Sequence, residues 1–184
     1  MQLFSEKGFR GTSITQIEAA AGLTPGAGGI YHHFRTKDAL LRAGIARHLD
    51  RLAALRDIRE LLTGLGDLRV ELTLLARYAL REMTREQDLL RVLATEARTH
   101  PELVNDAVDQ LIRSTFAGFA TWLETQGVPA ERSLEVSTVG LGALLSNRLL
   151  QSLHLLSATD VTDEAFVRTW VHMMERTIQD IAGA

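Results

Sequence analysis

Apolar residues recur every three or four positions through most of the chain, the spacing that gathers them on one face of an α-helix. Thr12-Ser13-Ile14 opens a short helix, capped by Thr12 or Ser13, with Ile14, Ile17 and Ala21 on one face and Gly22 as its terminator. Thr36 caps a longer helix through Leu55, with Ala39, Leu40, Ala43, Ala46, Leu49 and Leu52 at helical spacing. Gly64 and Gly66 then interrupt the pattern, and a helix over Asp67–Met83 carries the stripe Leu68, Leu72, Leu75, Ala79 and Met83. Further helices are expected over Arg85–Thr99 and over Pro101–Gln126, the second with Ala107, Leu111, Phe116, Phe119 and Leu123 inside and Gly127 and Pro129 as its stop. The last two run over Glu131–Leu156 and Asp163–Ile181. No β-type alternation, repeat period or low-complexity segment appears, so the chain reads as all-α with about nine helices.

One segment resists that pattern. Between Gly22 and Ile30 the chain reads Gly-Leu-Thr-Pro-Gly-Ala-Gly-Gly-Ile, and two short helices separated by Gly22-Leu23-Thr24 have the spacing of a helix-turn-helix. Thr24 can cap the second helix and Pro25 can sit in its first turn, but Gly26, Gly28 and Gly29 each cost about 0.8–1 kcal/mol relative to alanine inside a helix. The recognition helix is therefore expected to be short, or weakly ordered without DNA. The glycines either let backbone amides approach a phosphate or a thymine methyl, or form a tolerant loop. No Arg or Lys lies between Gly22 and Ile30, so the segment lacks a bidentate guanine reader and the operator sequence cannot be predicted.

Composition narrows the class. Hydrophobic residues make up 46% of the 184 residues, charged residues 23%, and there are only three prolines, which suits a soluble, largely helical protein. The absence of cysteine excludes disulfides, thiolate metal sites and cysteine nucleophiles, and no apolar run reaches the roughly 18 residues of a membrane span. With no signal-peptide pattern at the start, the expected compartment is the cytoplasm. The net charge of −3 is unevenly spread: residues 1–50 carry six Lys/Arg against four Asp/Glu, with three histidines besides. A mildly cationic amino-terminal module on an acidic remainder is compatible with an anionic partner.

Read together, "LFSEKGFRGTSITQIEAAAGL" and "GGIYHHFRTKDALL" resemble the amino-terminal domain of the TetR/AcrR family of one-component transcriptional regulators. The resemblance spans Leu3 to about Arg47 and rests on Gly8-Phe9, Thr12-Ser13-Ile14, Ala20-Ala21-Gly22-Leu23, Tyr31-His32-His33-Phe34 and Lys37. Phe4, Phe9, Ile14, Ile17, Leu23, Ile30 and Phe34 would form the core of such a three-helix unit. The resemblance implies a DNA-binding domain over 1–47 and an effector-binding and dimerisation domain over 48–184. It also implies phosphate contacts from Tyr31 and Lys37, with His33 near the backbone or a base edge and Thr12 or Ser13 offering a helix amino terminus. Thr24, Pro25, Gly26, Ala27, Gly28 and His32 complete the expected DNA-binding set. Two departures stand out. The glycine-to-tyrosine spacing is about two residues longer than usual in the family, and only Met1–Lys7 precede Gly8 in the given sequence, where the family's first helix is usually several residues longer and follows a basic arm; if the chain is truncated there, the first helix would rely on packing of Leu3 and Phe4.

A ligand-responsive regulator, usually a repressor released from a pseudo-palindromic operator, needs two recognition segments to reach successive major grooves about 34–36 Å apart, hence a homodimer. Phe166, Trp170, Met174 and Ile178 form one stripe, and Val136, Val139, Gly140 and Ala143 a row of small residues; together they are the expected dimer interface, with an internal core as the alternative. Tyr78, His100, Phe116, Phe119, Trp122, Asn147 and Gln151 are polar or aromatic amid apolar faces and are candidates to line a pocket for an apolar or aromatic small-molecule effector. No cofactor is implied. His32-His33 is a poor metal site, since neighbours on a helix point about 100° apart. A helical small-molecule binding protein without operator binding is the alternative reading, and an enzyme is disfavoured because no triad logic, metal spacing or phosphate loop is present.

Overall fold

The computed structural model describes residues 1–61, 64, 66–96, 100–153 and 161–183, with side chains given for all of these except 51–61, 102–107, 110 and 111. The expected helix ends at Thr99 and Leu156 lie outside the described residues, and the side chains of the stripe positions Leu52, Ala107 and Leu111 outside the described side chains. Among the described residues there are eight α-helices, one 3₁₀ turn and no strand. The helices are α1 (Gln2–Gly11), α2 (Ile14–Ala20), α3 (Lys37–Leu61), α4 (Leu68–Arg85), α5 (Gln87–Glu96), α6 (Pro101–Thr125), α7 (Ala130–Ser152) and α8 (Asp163–Ala182).

Hydrogen bonds mark where several of these helices begin. Ser13 and Gln16 form a reciprocal capping box at α2, Thr36 Oγ1 accepts the Ala39 amide at α3, Asp67 Oδ1 accepts the Val70 amide at α4, and Thr162 caps α8. Each such cap is worth about 1 kcal/mol. At the other end of α2 the Leu23 amide returns to the Glu18 carbonyl beyond Gly22, which closes the helix after two turns.

The chain divides into two compact units. The first joins Met1–Arg51 to Glu86–Asp109, so α5 and the start of α6 pack with the amino-terminal helices. Its core holds Phe4, Phe9, Ile30, Leu41, Ile45, Leu49, Leu89 and Val92. α1 has only ten residues, too few to be stable alone, and α5 secures it. The helix breaks at Gly8, and the Phe9 amide donates to the buried Glu96 Oε1 at 2.8 Å, while Ser5 Oγ donates to Asp88 Oδ1. Phe9 also packs edge-on against His100.

The second unit, Leu52–Arg85 with Gln110–Ala184, is built on α4, α7, α8 and most of α6. Leu72, Ala76, Leu80, Phe119, Trp122, Leu123, Leu144, Val167, Trp170, Val171, Met174 and Ile178 form one continuous core. Both indoles find acceptors: Trp122 Nε1 donates to Glu71 Oε2 and Trp170 Nε1 to the Gly140 carbonyl.

Candidate nucleic-acid interface and effector region

Residues 21–28 are not helical. Thr24-Pro25-Gly26-Ala27 makes a β-turn closed by the Ala27 amide on the Thr24 carbonyl, with proline at the second position and Gly26 at φ 80° in the third, the signature of a type II turn. Gly28, also left-handed at φ 73°, turns the chain into the 3₁₀ segment Gly29–His32. The glycines that weaken a helix are the residues this turn requires, so the expected recognition helix is replaced by a turn and a 3₁₀ segment. Leu23, expected in the core, is 43% exposed on this loop, because no helix follows to cover it.

Thr24, Pro25, Gly26, Ala27, Tyr31, His32 and His33 are all exposed, and Gly28 is half-buried. Ser13 is exposed at the start of α2, its hydroxyl oxygen accepting the Gln16 amide. Thr12 has to be corrected: it is 1% exposed, and its hydroxyl is directed at the Gly8 and Leu3 carbonyls, so it holds α1 and is closed to a phosphate. Lys37 is half-buried, its ammonium donating to the carbonyls of Phe9 at 2.7 Å and Thr12 at 2.9 Å and lying over the Phe9 ring. Two of its three N–H groups thus close the end of α1. Arg35, not singled out in the sequence, is exposed between the histidines and Lys37 and adds a cation to this surface.

From Ala19 to Lys37 the sequence contains no Asp or Glu. The acid just before that run, Glu18, is fully buried, and its carboxylate accepts the backbone amides of Gly26 and Ile30. The outer surface of the segment therefore presents hydroxyl, imidazole, phenol and guanidinium groups and no carboxylate.

In the second unit, Phe119 and Trp122 stack at 5.2 Å in the core, and Phe116 is half-buried with its carbonyl accepting Ser137 Oγ. Tyr78 Oη on α4 and Asn147 Nδ2 on α7 are buried without a hydrogen-bond partner among the described residues. Burial raises the Tyr78 phenol above its ordinary pKa of 10.0; the charge of Glu82 adds to the rise and Arg85 opposes it. Gln151 accepts from Arg148, whose other terminal nitrogen donates to Asp163. His100 belongs to the first unit, against Phe9, and is separated by this division from the other effector candidates. A surface cleft of about 340 Å³ is lined by α4 and α8, with Arg77, Arg81 and Arg85 on one side and Asp163 and Glu164 on the other. The Arg77–Glu164 and Arg85–Glu82 pairs neutralise two of these arginines.

The expected dimer residues also move. Val136, Trp170, Met174 and Ile178 are all at most 8% exposed in the single chain, and Phe166 packs against the same core. A Cβ on Gly140 would lie 2.8 Å from the Met174 sulfur. These positions are the internal core, because α8 spends its stronger apolar stripe on α4 and α7 of its own chain. Val139 at 72% exposure, Leu134 at 55%, Met173 at 60% and the exposed Ala143 remain on the outward faces of α7 and α8.

The exposed, acid-free segment after α2 belongs to the first unit, and the second unit has its own helical core. Residues 1–43 match the profile of bacterial regulatory proteins of the tetR family, and the whole chain has the fold of TetR-family transcriptional regulators. A protein solved as a TetR-family transcriptional regulator from Mesorhizobium loti MAFF303099 is similar with a TM-score of 0.74 and 18% identity, over 98% of this chain and 91% of that one. A second such protein, from Rhodococcus sp., gives 0.63 and 17% over 96% and 92%. AibR, solved in complex with isovaleryl coenzyme A and operator DNA, gives 0.62 and 20% over 94% and 91%. No protein of curated function matches the sequence at a significant level.

Proposed function

We propose that the chain binds operator DNA through Ser13, the 24–28 turn, Tyr31, His32, His33 and Arg35, and releases it, as a repressor, when a small molecule occupies the second unit. The observation that carries this reading is the acid-free run from Ala19 to Lys37 in a protein of net charge −3, with Glu18 at its start turned inward and Asp38 at its end the first exposed acid. Tyr31, His33 and the remaining N–H of Lys37 supply phosphate contacts, and Ser13 puts the amino terminus of α2 at the backbone.

Two partner-free polar atoms, Tyr78 Oη and Asn147 Nδ2, support a ligand in the second unit, since a buried donor left unpaired costs about 1–3 kcal/mol. An apolar or aromatic molecule carrying a hydrogen-bond acceptor fits the need of either donor. AibR, with its bound coenzyme A ester and operator, supports a ligand and DNA acting on one such fold. No catalytic role is proposed. The assembly is a homodimer that covers Leu134, Val139, Ala143 and Met173.

The test is selection of bound DNA from a random pool by the full chain, followed by titration of the selected site at several salt concentrations. A two-fold-related sequence should emerge, and log K should fall with log salt by about 0.9 for each neutralised phosphate. Binding that is absent, or insensitive to salt, refutes the reading.

A further inference from the structure

We infer that residues 22–29 read DNA as a preformed loop rather than as a helix, and that Glu18 is the positioning residue that holds this loop in its reading shape. The inference rests on the DNA-binding reading above and goes beyond it, since it assigns the specificity of the module to a carboxylate that never touches DNA.

The local geometry supplies the argument. Glu18 lies in the last turn of α2 and is 0% exposed, unusual for a carboxylate that is not ion-paired. Its Oε2 accepts the Gly26 amide at 2.7 Å and its Oε1 lies 3.5 Å from the Ile30 amide. One side chain therefore clasps the middle of the type II turn and the start of the 3₁₀ segment, four residues apart. Exposed residues 21–27 surround this clasp: the Ala21, Gly22 and Leu23 amides return to α2 carbonyls, the Ala27 amide closes its own turn, and the Tyr31 amide returns to Gly28. A Cβ on Gly26 would meet nothing within 4 Å, so at that position the turn is held by its left-handed backbone and by Glu18 rather than by side-chain packing.

Two consequences follow for recognition. A recognition helix satisfies its own amides, whereas this loop has two of its inward amides satisfied by a distant carboxylate, which leaves the exposed Thr24, Pro25 and Ala27 at a fixed place on α2. Preorganisation of this kind adds selectivity because the loop does not have to be ordered on the groove at the moment of binding. The same hydrogen bonds keep the Glu18 charge occupied and turned away from the exposed face of the loop.

The experiment uses the full chain and the DNA site selected by the wild type. In Glu18→Ala the ratio of affinities for selected over random DNA should fall about tenfold or more, while affinity for random DNA stays within about threefold at the same salt. Glu18→Gln, which keeps one acceptor oxygen, should restore part of the ratio. Gly26→Ala, which strains the φ 80° turn without touching a neighbour, should reproduce the loss. Amide exchange read by NMR on the free proteins should show the Gly26 N–H protected in the wild type and unprotected in Glu18→Ala, an effect that needs no DNA.

An unchanged ratio in both Glu18→Ala and Gly26→Ala overturns the inference while leaving the DNA-binding reading intact. So does a Gly26 N–H that exchanges freely in the wild type. Failure of the wild type to select any sequence overturns both. If Glu18→Ala loses the fold, Gly26→Ala and the exchange measurement decide.

Discussion

Removing the Tyr78 hydroxyl should leave the second unit at least as stable as before, because that oxygen is buried with no partner among the described residues. Tyr78→Phe is expected to be neutral or to stabilise by up to about 1 kcal/mol in chemical denaturation, and to weaken binding of the effector. The same residue gives a pH signature. Burial raises the phenol above 10.0 in the folded chain, so between the unfolded and folded values the unfolded state has lost a proton that the folded state keeps. Stability from this group is full below pH 10 and is lost as pH rises through the folded value. Tyr78→Phe should flatten that alkaline decline, and an absorbance titration of tyrosinate should lose its late-ionising component. At this scale the sequence was least informative. Glu18, Glu71 and Glu96 occupy helical positions where solvent is the ordinary neighbour, yet each is buried on a particular donor. Two of those donors, the Trp122 indole and the Phe9 amide, are 51 and 87 residues away in the chain. Thr12 misled for the same reason: its hydroxyl is spent on carbonyls that only the broken α1 brings near.

At the scale of elements, helix starts were legible because Ser13, Thr36 and Asp67 cap them chemically, and those bonds are local. Which face of α7 and α8 turns inward was not legible, because periodicity gives the stripe and not its partner. Gly140 and Gly142, two residues apart on α7, put this to the test. Gly140→Ala places a Cβ 2.8 Å from the sulfur of the buried Met174, which has to shift, so this variant should be less stable than Gly142→Ala by about 1–3 kcal/mol. Gly142→Ala meets nothing within 4 Å, and mid-helix alanine is favoured over glycine by about 1 kcal/mol, so the isolated chain should gain stability. If a second copy packs closely on this outward face, the same substitution should weaken association, and sedimentation of the two variants at graded concentrations separates these effects. The glycine-rich segment was half legible. Its cost to a helix was plain, but nothing local announced that the Gly26 amide of the turn would donate to Glu18 on α2.

For the whole molecule, the proposed operator binding depends on two modules acting together, so the outward apolar positions of α7 and α8 bear on DNA affinity without touching DNA. Val139→Arg places a charge on a residue that is 72% exposed in the single chain, and folding should be unaffected. Its dimer should dissociate, and operator affinity should fall about 10²-fold or more as the second half-site becomes a separate binding event. Effector binding, proposed to lie within each chain's second unit, should persist; a monomeric variant with full operator affinity would refute the dimer proposal.

The placement of the indoles has a practical result. Trp122 and Trp170 are the chain's two tryptophans, both are buried in the second unit, and each N–H is held by a protein acceptor. Tryptophan emission therefore originates in the second unit, while the proposed DNA-binding segment belongs to the first. A change in emission on adding operator DNA would be a signal from the second unit, so one unlabelled sample tests the proposed coupling between DNA and effector.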